Sequence, residues 1–181
     1  MTAPPLVLVV VGTDVHPFDR LTSWLERWSP GPARLLVQYG HGRRPALAGA
    51  TAFLDHDELR RVMTEAALVV SHGGPATITE ARRTGHLPIV VPRDPARGEH
   101  VDNHQQLFAR RMAAAGLVHL CESEPELTTA LDLGVADPAR FSLDGDAPGG
   151  AGRAEAVARV GRIVEELVDA RVRRRTGRLR R

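Results

Sequence analysis

Residues 71–80 read Ser-His-Gly-Gly-Pro-Ala-Thr-Ile-Thr-Glu, between a short apolar run and a segment of helical spacing. The composition suits an anion. Gly73 and Gly74 carry no side chain to block close approach, and Pro75 fits the first helical position, where a missing N–H costs nothing. The N–H groups of Ala76 and Thr77 then point out of the positive end of the helix dipole, which stabilises a phosphate by ~0.3–2 kcal/mol beyond its hydrogen bonds. Glu80 lies further along the same helix, and helix side chains lean toward the N-terminus, so its carboxylate can reach back toward that phosphate. A carboxylate repels phosphate unless it binds hydroxyls. Ribose supplies hydroxyls, and phosphate with ribose means a nucleotide. Taken alone, the same ten residues serve equally well as a tight turn followed by a surface glutamate.

A second polar group follows the next apolar run. In the loop that begins at Arg93, the residues Glu99, His100, Asp102, Asn103, His104 and Gln105 gather hydrogen-bonding side chains, as recognition of a polyhydroxylated ligand requires. Asp102 or Asn103 is expected to cap the helix after it, which leaves the remaining groups to be explained.

Both groups need elements to hold them. Apolar, β-branched runs recur at 6–12, 34–40, 51–54, 67–71, 87–92 and 117–120, and segments with helical spacing lie at 17–28, 57–66, 75–84, 101–115 and 125–133. Runs apolar at nearly every position suit strands buried on both faces, so the expected fold is α/β, a doubly wound Rossmann-like parallel sheet. In such a sheet ligands bind beyond the carboxyl ends of the strands, which is where both polar groups fall. The division expected along the chain is a nucleotide-sugar-binding domain over 1–136, a Pro/Gly/Asp-rich linker over 137–153, an amphipathic helix over 154–172 and an arginine-rich tail over 173–181.

Composition narrows the function further. The formal net charge of +2 includes seven arginines in residues 171–181; without them the body stands at −5, which argues against a basic nucleic-acid surface. No run is long and apolar enough to span a membrane, the start does not resemble a signal peptide, and a cytoplasmic protein is expected. The single cysteine, Cys121, excludes an intramolecular disulfide and a cysteine-based zinc cluster. No metal or cofactor requirement is evident.

The stretch 53–118, with its "SHGGPATITE" and "GEHVDNHQ" at this spacing, resembles the C-terminal, donor-binding domain of the family 28 glycosyltransferases of GT-B fold. Residues 9–21, "VVVGTDVHPFDRL", resemble the opening of its small stand-alone members, the catalytic subunit of the split dolichyl-linked N-acetylglucosaminyltransferase and its bacterial exopolysaccharide relatives. The resemblance implies a UDP-sugar as substrate. It implies a donor diphosphate on Gly73, Gly74, Pro75, Ala76 and Thr77 with Thr13 bordering the cleft, and ribose on Glu80. Uracil would lie against Phe53 and Leu54, and the sugar against Glu99, His100, Asn103 and Gln105. His100 departs from the glutamine usual in related enzymes, which leaves the sugar open. His72 and His16 are the local candidates for proton transfer; His72 is expected as a protonated imidazole beside the leaving diphosphate, and His16 as support for the turn 12–17.

A GT-B enzyme needs two Rossmann-like domains, and this chain has the length of one. The resemblance therefore implies half of a two-component hexosyltransferase, peripheral at the inner face of the membrane through a membrane-anchored subunit that supplies the lipid-linked acceptor and the general base. A nucleotide-sugar-binding sensor or scaffold without catalysis is the alternative from another class. A serine hydrolase would need a G-x-S-x-G elbow, and a dinucleotide oxidoreductase a G-x-G-x-x-G after the first strand; neither is present.

Overall fold

The apolar runs become six short strands in one parallel sheet. The computed structural model describes residues 3–143 and 158–166. Its strands are β1 (Leu6–Val10), β2 (Arg34–Gln38), β3 (Ala50–Thr51), β4 (Leu68–Ser71), β5 (Ile89–Val90) and β6 (His119–Leu120), in the order β3-β2-β1-β4-β5-β6. Every pairing is parallel, with Val9 of β1 opposite Val37 of β2 on one side and Val70 of β4 on the other. The doubly wound sheet expected from the alternation is therefore present.

Its strands read as continuous apolar runs because both faces are covered. Side chains alternate along a strand, so Val7, Val9 and Val11 enter one core with Leu21, Leu25, Leu127 and Leu131, while Leu8 and Val10 enter a second with Val62, Met63 and Ala81. Helices α1 (Asp19–Arg27) and α5 (Glu124–Ala136) cover the first face; α2 (His56–Glu65), α3 (Pro75–Arg83) and α4 (His104–Ala114) belong to the other. The Asp55 carboxylate caps α2 by accepting from the Glu58 N–H at 2.8 Å, and Ser123 with Glu126 forms a capping box on α5. Cys121 is fully buried, and burial pushes its thiol up to about 12.

Residues 137–143, expected as the start of a linker, instead pack on the domain. Pro138–Phe141 forms a 3₁₀ turn, Phe141 is buried in the first core, and Ser142 bridges to His86. The aromatic ring outweighs the local Asp/Pro signal because it has a core to enter. Residues 158–166 are helical, and Val160, Ile163 and Val164 pack with Ile78, Phe108, Met112 and Leu117, so this part of the amphipathic stripe is spent on the chain's own domain. The rest of the expected linker, residues 154–157 and 167–172 of the expected helix, and the tail 173–181 lie outside the described residues. Among the described residues no helix is long and apolar enough to cross a membrane.

β1 is the central hinge of the topology. Its neighbours β2 and β4 lie on opposite sides, and the chain leaves β1 for α1 on one face and β4 for α3 on the other. The connections diverge there to opposite faces, which by the general rule for open α/β sheets leaves a ligand crevice beyond the carboxyl ends of β1 and β4.

Candidate functional site

The crevice is walled by three segments: the β1 exit loop 11–18, the β4–α3 junction 72–75 and the β5–α4 loop 91–103. At the junction α3 starts as the sequence predicts, with Pro75 at its first position and no side-chain cap on Gly74. The first intrahelical bond runs from the Ile78 N–H to the Gly74 carbonyl at 3.2 Å, so the N–H groups of Ala76 and Thr77 precede it and face outward, uncommitted among the described residues. Ala76 is exposed and Thr77 half-buried. This is an anion-ready helix end.

Glu80 lies further along the same helix and is already engaged. Its carboxylate pairs with Arg60 of α2 at 2.9 Å and lies 3.8 Å from Arg83. A ribose there would share or displace the half-exposed Arg60, an ion pair worth no more than about 1 kcal/mol.

The glycines make room for protein as well as ligand. A Cβ on Gly74 would stand 2.2 Å from His72 Nε2, and one on Gly12, whose φ is 80°, would stand 2.6 Å from His72 Cε1. The imidazole is thus clamped between the β1 loop and the start of α3, 8% exposed, with Nδ1 3.4 Å from the Val10 carbonyl. Burial pushes its pKa down to about 4, helped by the Arg93 charge. His72 is therefore neutral at pH 7 in the unliganded chain, and the protonated imidazole expected from the sequence would need the charge of a bound diphosphate to raise its pKa.

Two arginines fix the rest of the cleft. Arg93, 0% exposed, donates to the carbonyls of His16 (2.7 Å), Val11 (2.9 Å) and Glu99 (3.1 Å), and its guanidinium stacks 4.8 Å from the Phe18 ring. It ties the β1 loop to the β5 loop. Arg20 on α1 forms a fork on Glu99, Nε to Oε1 and Nη2 to Oε2, both at 2.8 Å, and Nη2 also reaches the Pro92 carbonyl at 2.9 Å. Oε2 of Glu99 accepts in addition from the Asp94 N–H at 2.8 Å. With 4% exposure and both oxygens committed, Glu99 has no face for a sugar. The direct sugar contact expected of Glu99 is corrected accordingly: it shapes the loop. Gln105 lies beneath, 4% exposed, its Cβ against Gly73 and its Oε1 accepting from the Arg93 N–H at 3.4 Å.

What faces the opening is a group of histidines and aspartates. His16 Nδ1 is 2.6 Å from Asp14 Oδ1, and Asp14 Oδ2 is 3.4 Å from His100 Nε2. Burial raises the Asp14 carboxyl, but the hydrogen bonds from His16 and the charges of His100 and Arg93 outweigh it and hold the group below the usual carboxylate range. Burial lowers the His100 pKa, and neighbouring His104 lowers it further. Asp102 caps α4, accepting from the His104 N–H at 3.1 Å, while Asn103 is exposed and makes no cap bond. Thr13 is exposed on the β1 loop. At the far end Phe53, 43% exposed, stands edge-on to His41 with centroids 5.1 Å apart, and Leu54 packs into the second core. The sequence reading missed Arg20, Arg93 and His41. The "FDRL" and "PRD" contexts of the two arginines carried no signal of burial, since most of their partners lie 72–82 residues away in sequence.

Known proteins resemble this chain in sequence and in fold. The glycosyltransferase family 28 C-terminal domain matches residues 34–159. The UDP-N-acetylglucosamine transferase subunit ALG13 of Yarrowia lipolytica is 32% identical over 126 residues, covering 59% of this chain and 62% of that protein. Its counterpart from Eremothecium gossypii is 30% identical over 155 residues, covering 64% and 74%. Among solved structures, MurG of Acinetobacter baumannii superposes with a TM-score of 0.54 at 20% identity, covering 90% of this chain and 51% of that one. The glycosyltransferase of kitacinnamycin gives 0.56 at 18%, covering 91% and 40%. These two likenesses concern the fold, and the chain spans between two fifths and half of each. With the family match extending over more than half its length, the chain belongs to the glycosyltransferase family 28 C-terminal domain family.

Proposed function

We propose that this chain is the donor-binding subunit of a two-component UDP-sugar glycosyltransferase that moves a hexose or N-acetylhexosamine to a lipid-linked acceptor held by a membrane-anchored partner. One observation carries the reading: the uncapped N-terminus of α3 opens at the β1/β4 switch point with Glu80 further along the same helix, a geometry for diphosphate and ribose together. The relatives' names, UDP-N-acetylglucosamine transferase subunits, point the same way.

In this reading the Ala76 and Thr77 N–H groups hold the donor diphosphate, and the helix dipole stabilises charge as the sugar–phosphate bond breaks. Glu80 accepts from the ribose hydroxyls. Phe53 with His41 offers a face for the base, and His100 and Asn103 line the sugar side. His72, neutral, keeps the two loops apart at the spacing a diphosphate needs and transfers no proton. The partner closes the cleft and brings the acceptor hydroxyl with its base, while the Asp14-oriented His16 lies on the facing rim.

Calorimetric titration of the purified chain with UDP, UDP-N-acetylglucosamine, UDP-glucose, GDP-mannose and NAD tests the site. Saturable binding restricted to uridine nucleotides is expected. Glu80→Ala should weaken it about 10–100-fold, the worth of a charged hydrogen bond to hydroxyls, with the fold retained. Equal affinity for NAD, or an unchanged affinity in Glu80→Ala, overturns the assignment. Sugar transfer on co-expression with a membrane-anchored partner separates the enzyme from a binding-only sensor.

A further inference from the structure

His100, Asp102 and His104 stand on alternate residues at the entrance to α4, and one ligand atom from each lies within 4.8 Å of the others. We propose that these three side chains bind a first-row divalent transition-metal cation.

Asp102 is the centre of the group. Its Oδ1 is 3.8 Å from His100 Nδ1 and is hydrogen-bonded to His104 Nδ1. The tautomer of His100 follows from its neighbours. The Asp102 backbone N–H donates to His100 Nδ1 at 3.4 Å, so that nitrogen carries the lone pair, and a metal ion on it would replace this long hydrogen bond; Nε2, the protonated side, faces Asp14 Oδ2 at 3.4 Å. A histidine whose other ring N–H meets a carboxylate is the usual outer support of a metal ligand, since it fixes the ring and raises its basicity. His104 needs only to change tautomer, its proton passing from Nδ1 to Nε2, to present a second lone pair to the same point. Small side-chain rotations bring the three atoms to the ~2.0–2.2 Å bonds of a zinc-type ion.

The donor set selects the ion. Two imidazoles and one carboxylate favour zinc, nickel or cobalt and serve magnesium or calcium poorly, as those prefer all-oxygen shells. His104 is 42% and Asp102 30% exposed, so the ion enters without opening the fold, and three protein ligands leave a coordination position for water or another oxygen donor. The carboxylates of Asp14 and Asp102 offset the cation's charge. The Arg93 guanidinium, whose charge acts on His100, is turned onto backbone carbonyls.

The test uses the full-length, tag-free chain without nucleotide, so its outcome is independent of UDP-sugar binding. Calorimetric titration with zinc and nickel should show one ion per chain with a Kd in the micromolar range or tighter, and none with magnesium. Cobalt should give the visible absorption of a nitrogen/oxygen site. His104→Ala and His100→Ala should each weaken zinc binding by at least the ~10–100-fold that loss of an outer-shell partner costs. Asp102→Asn should do the same while keeping the helix cap. His56→Ala, exposed on α2 and outside the cluster, should change nothing. Binding no tighter than millimolar in the wild type, or binding that survives His104→Ala in a folded chain, overturns the proposal.

Discussion

Gly74→Ala is expected to destabilise the chain through one contact, the His72 ring. The added Cβ would lie 2.2 Å from Nε2, 2.9 Å from Cδ2 and 3.0 Å from Cε1, against the 3.4–4 Å of ordinary contact, so the ring must move by more than 1 Å. Its room is limited, because the Gly12 backbone also lies close to Cε1 and Nε2 of the same ring. Forced overpacking of this kind costs about 1–3 kcal/mol. Gly74 itself has φ −80°, which any residue adopts, so the whole cost is steric. A double-mutant cycle isolates it: Gly74→Ala should be nearly neutral when His72→Ala is already present, a coupling of about 1–3 kcal/mol. Gly12→Ala differs, since φ 80° adds a backbone penalty of about 1–2 kcal/mol that removing His72 cannot relieve. Urea denaturation of the single and double variants, followed by circular dichroism, measures all of these. If Gly74→Ala costs as much in the His72→Ala background as in the wild type, the imidazole is not what meets the new methyl group, and the clamp between the two loops is wrong.

Two further outcomes follow from the buried polar groups. His72 titrates at about 4 in the folded chain against about 6.5 unfolded, so the unfolded chain binds the extra proton between those values; stability should be complete above pH 6.5 and fall by about 3 kcal/mol as pH drops toward 4, and His72→Gln should flatten that part of the curve. Arg20→Met leaves the Glu99 carboxylate buried with only the Asp94 N–H, and should cost about 3–5 kcal/mol, whereas the double change Arg20→Met with Glu99→Gln should recover much of it; equal losses in the two would refute the pairing as the source.

The strands were legible in the sequence because burial on both faces leaves a mark at every position, as in β1, where four consecutive residues, Val7–Val10, are at most 1% exposed. Pro75 announced its helix for an equally local reason. The interior of the site was less legible. Glu99 looked like a ligand-binding carboxylate until Arg20, 79 residues away, proved to occupy it. His72 looked cationic because a motif carries no record of how deeply its imidazole is enclosed. Phe141 looked like part of a linker because the Asp, Pro and Gly around it outvote one ring in a composition window, although the ring alone decides where the chain goes.

Arg93 recognises its surroundings almost wholly through main-chain oxygens, those of Val11, His16 and Glu99. Every residue type offers the same carbonyl, so the arginine holds the backbone trace of the β1 loop while taking no account of which side chains that loop presents. Thr13 and Val15, both exposed, can therefore be exchanged with little effect on where the loop lies, whereas Asp14 also holds it by accepting from the His16 N–H at 2.8 Å. If the proposed function holds, the lip of the cleft is a place where the preference for one sugar or one partner can be rewritten at these exposed positions on an unchanged frame.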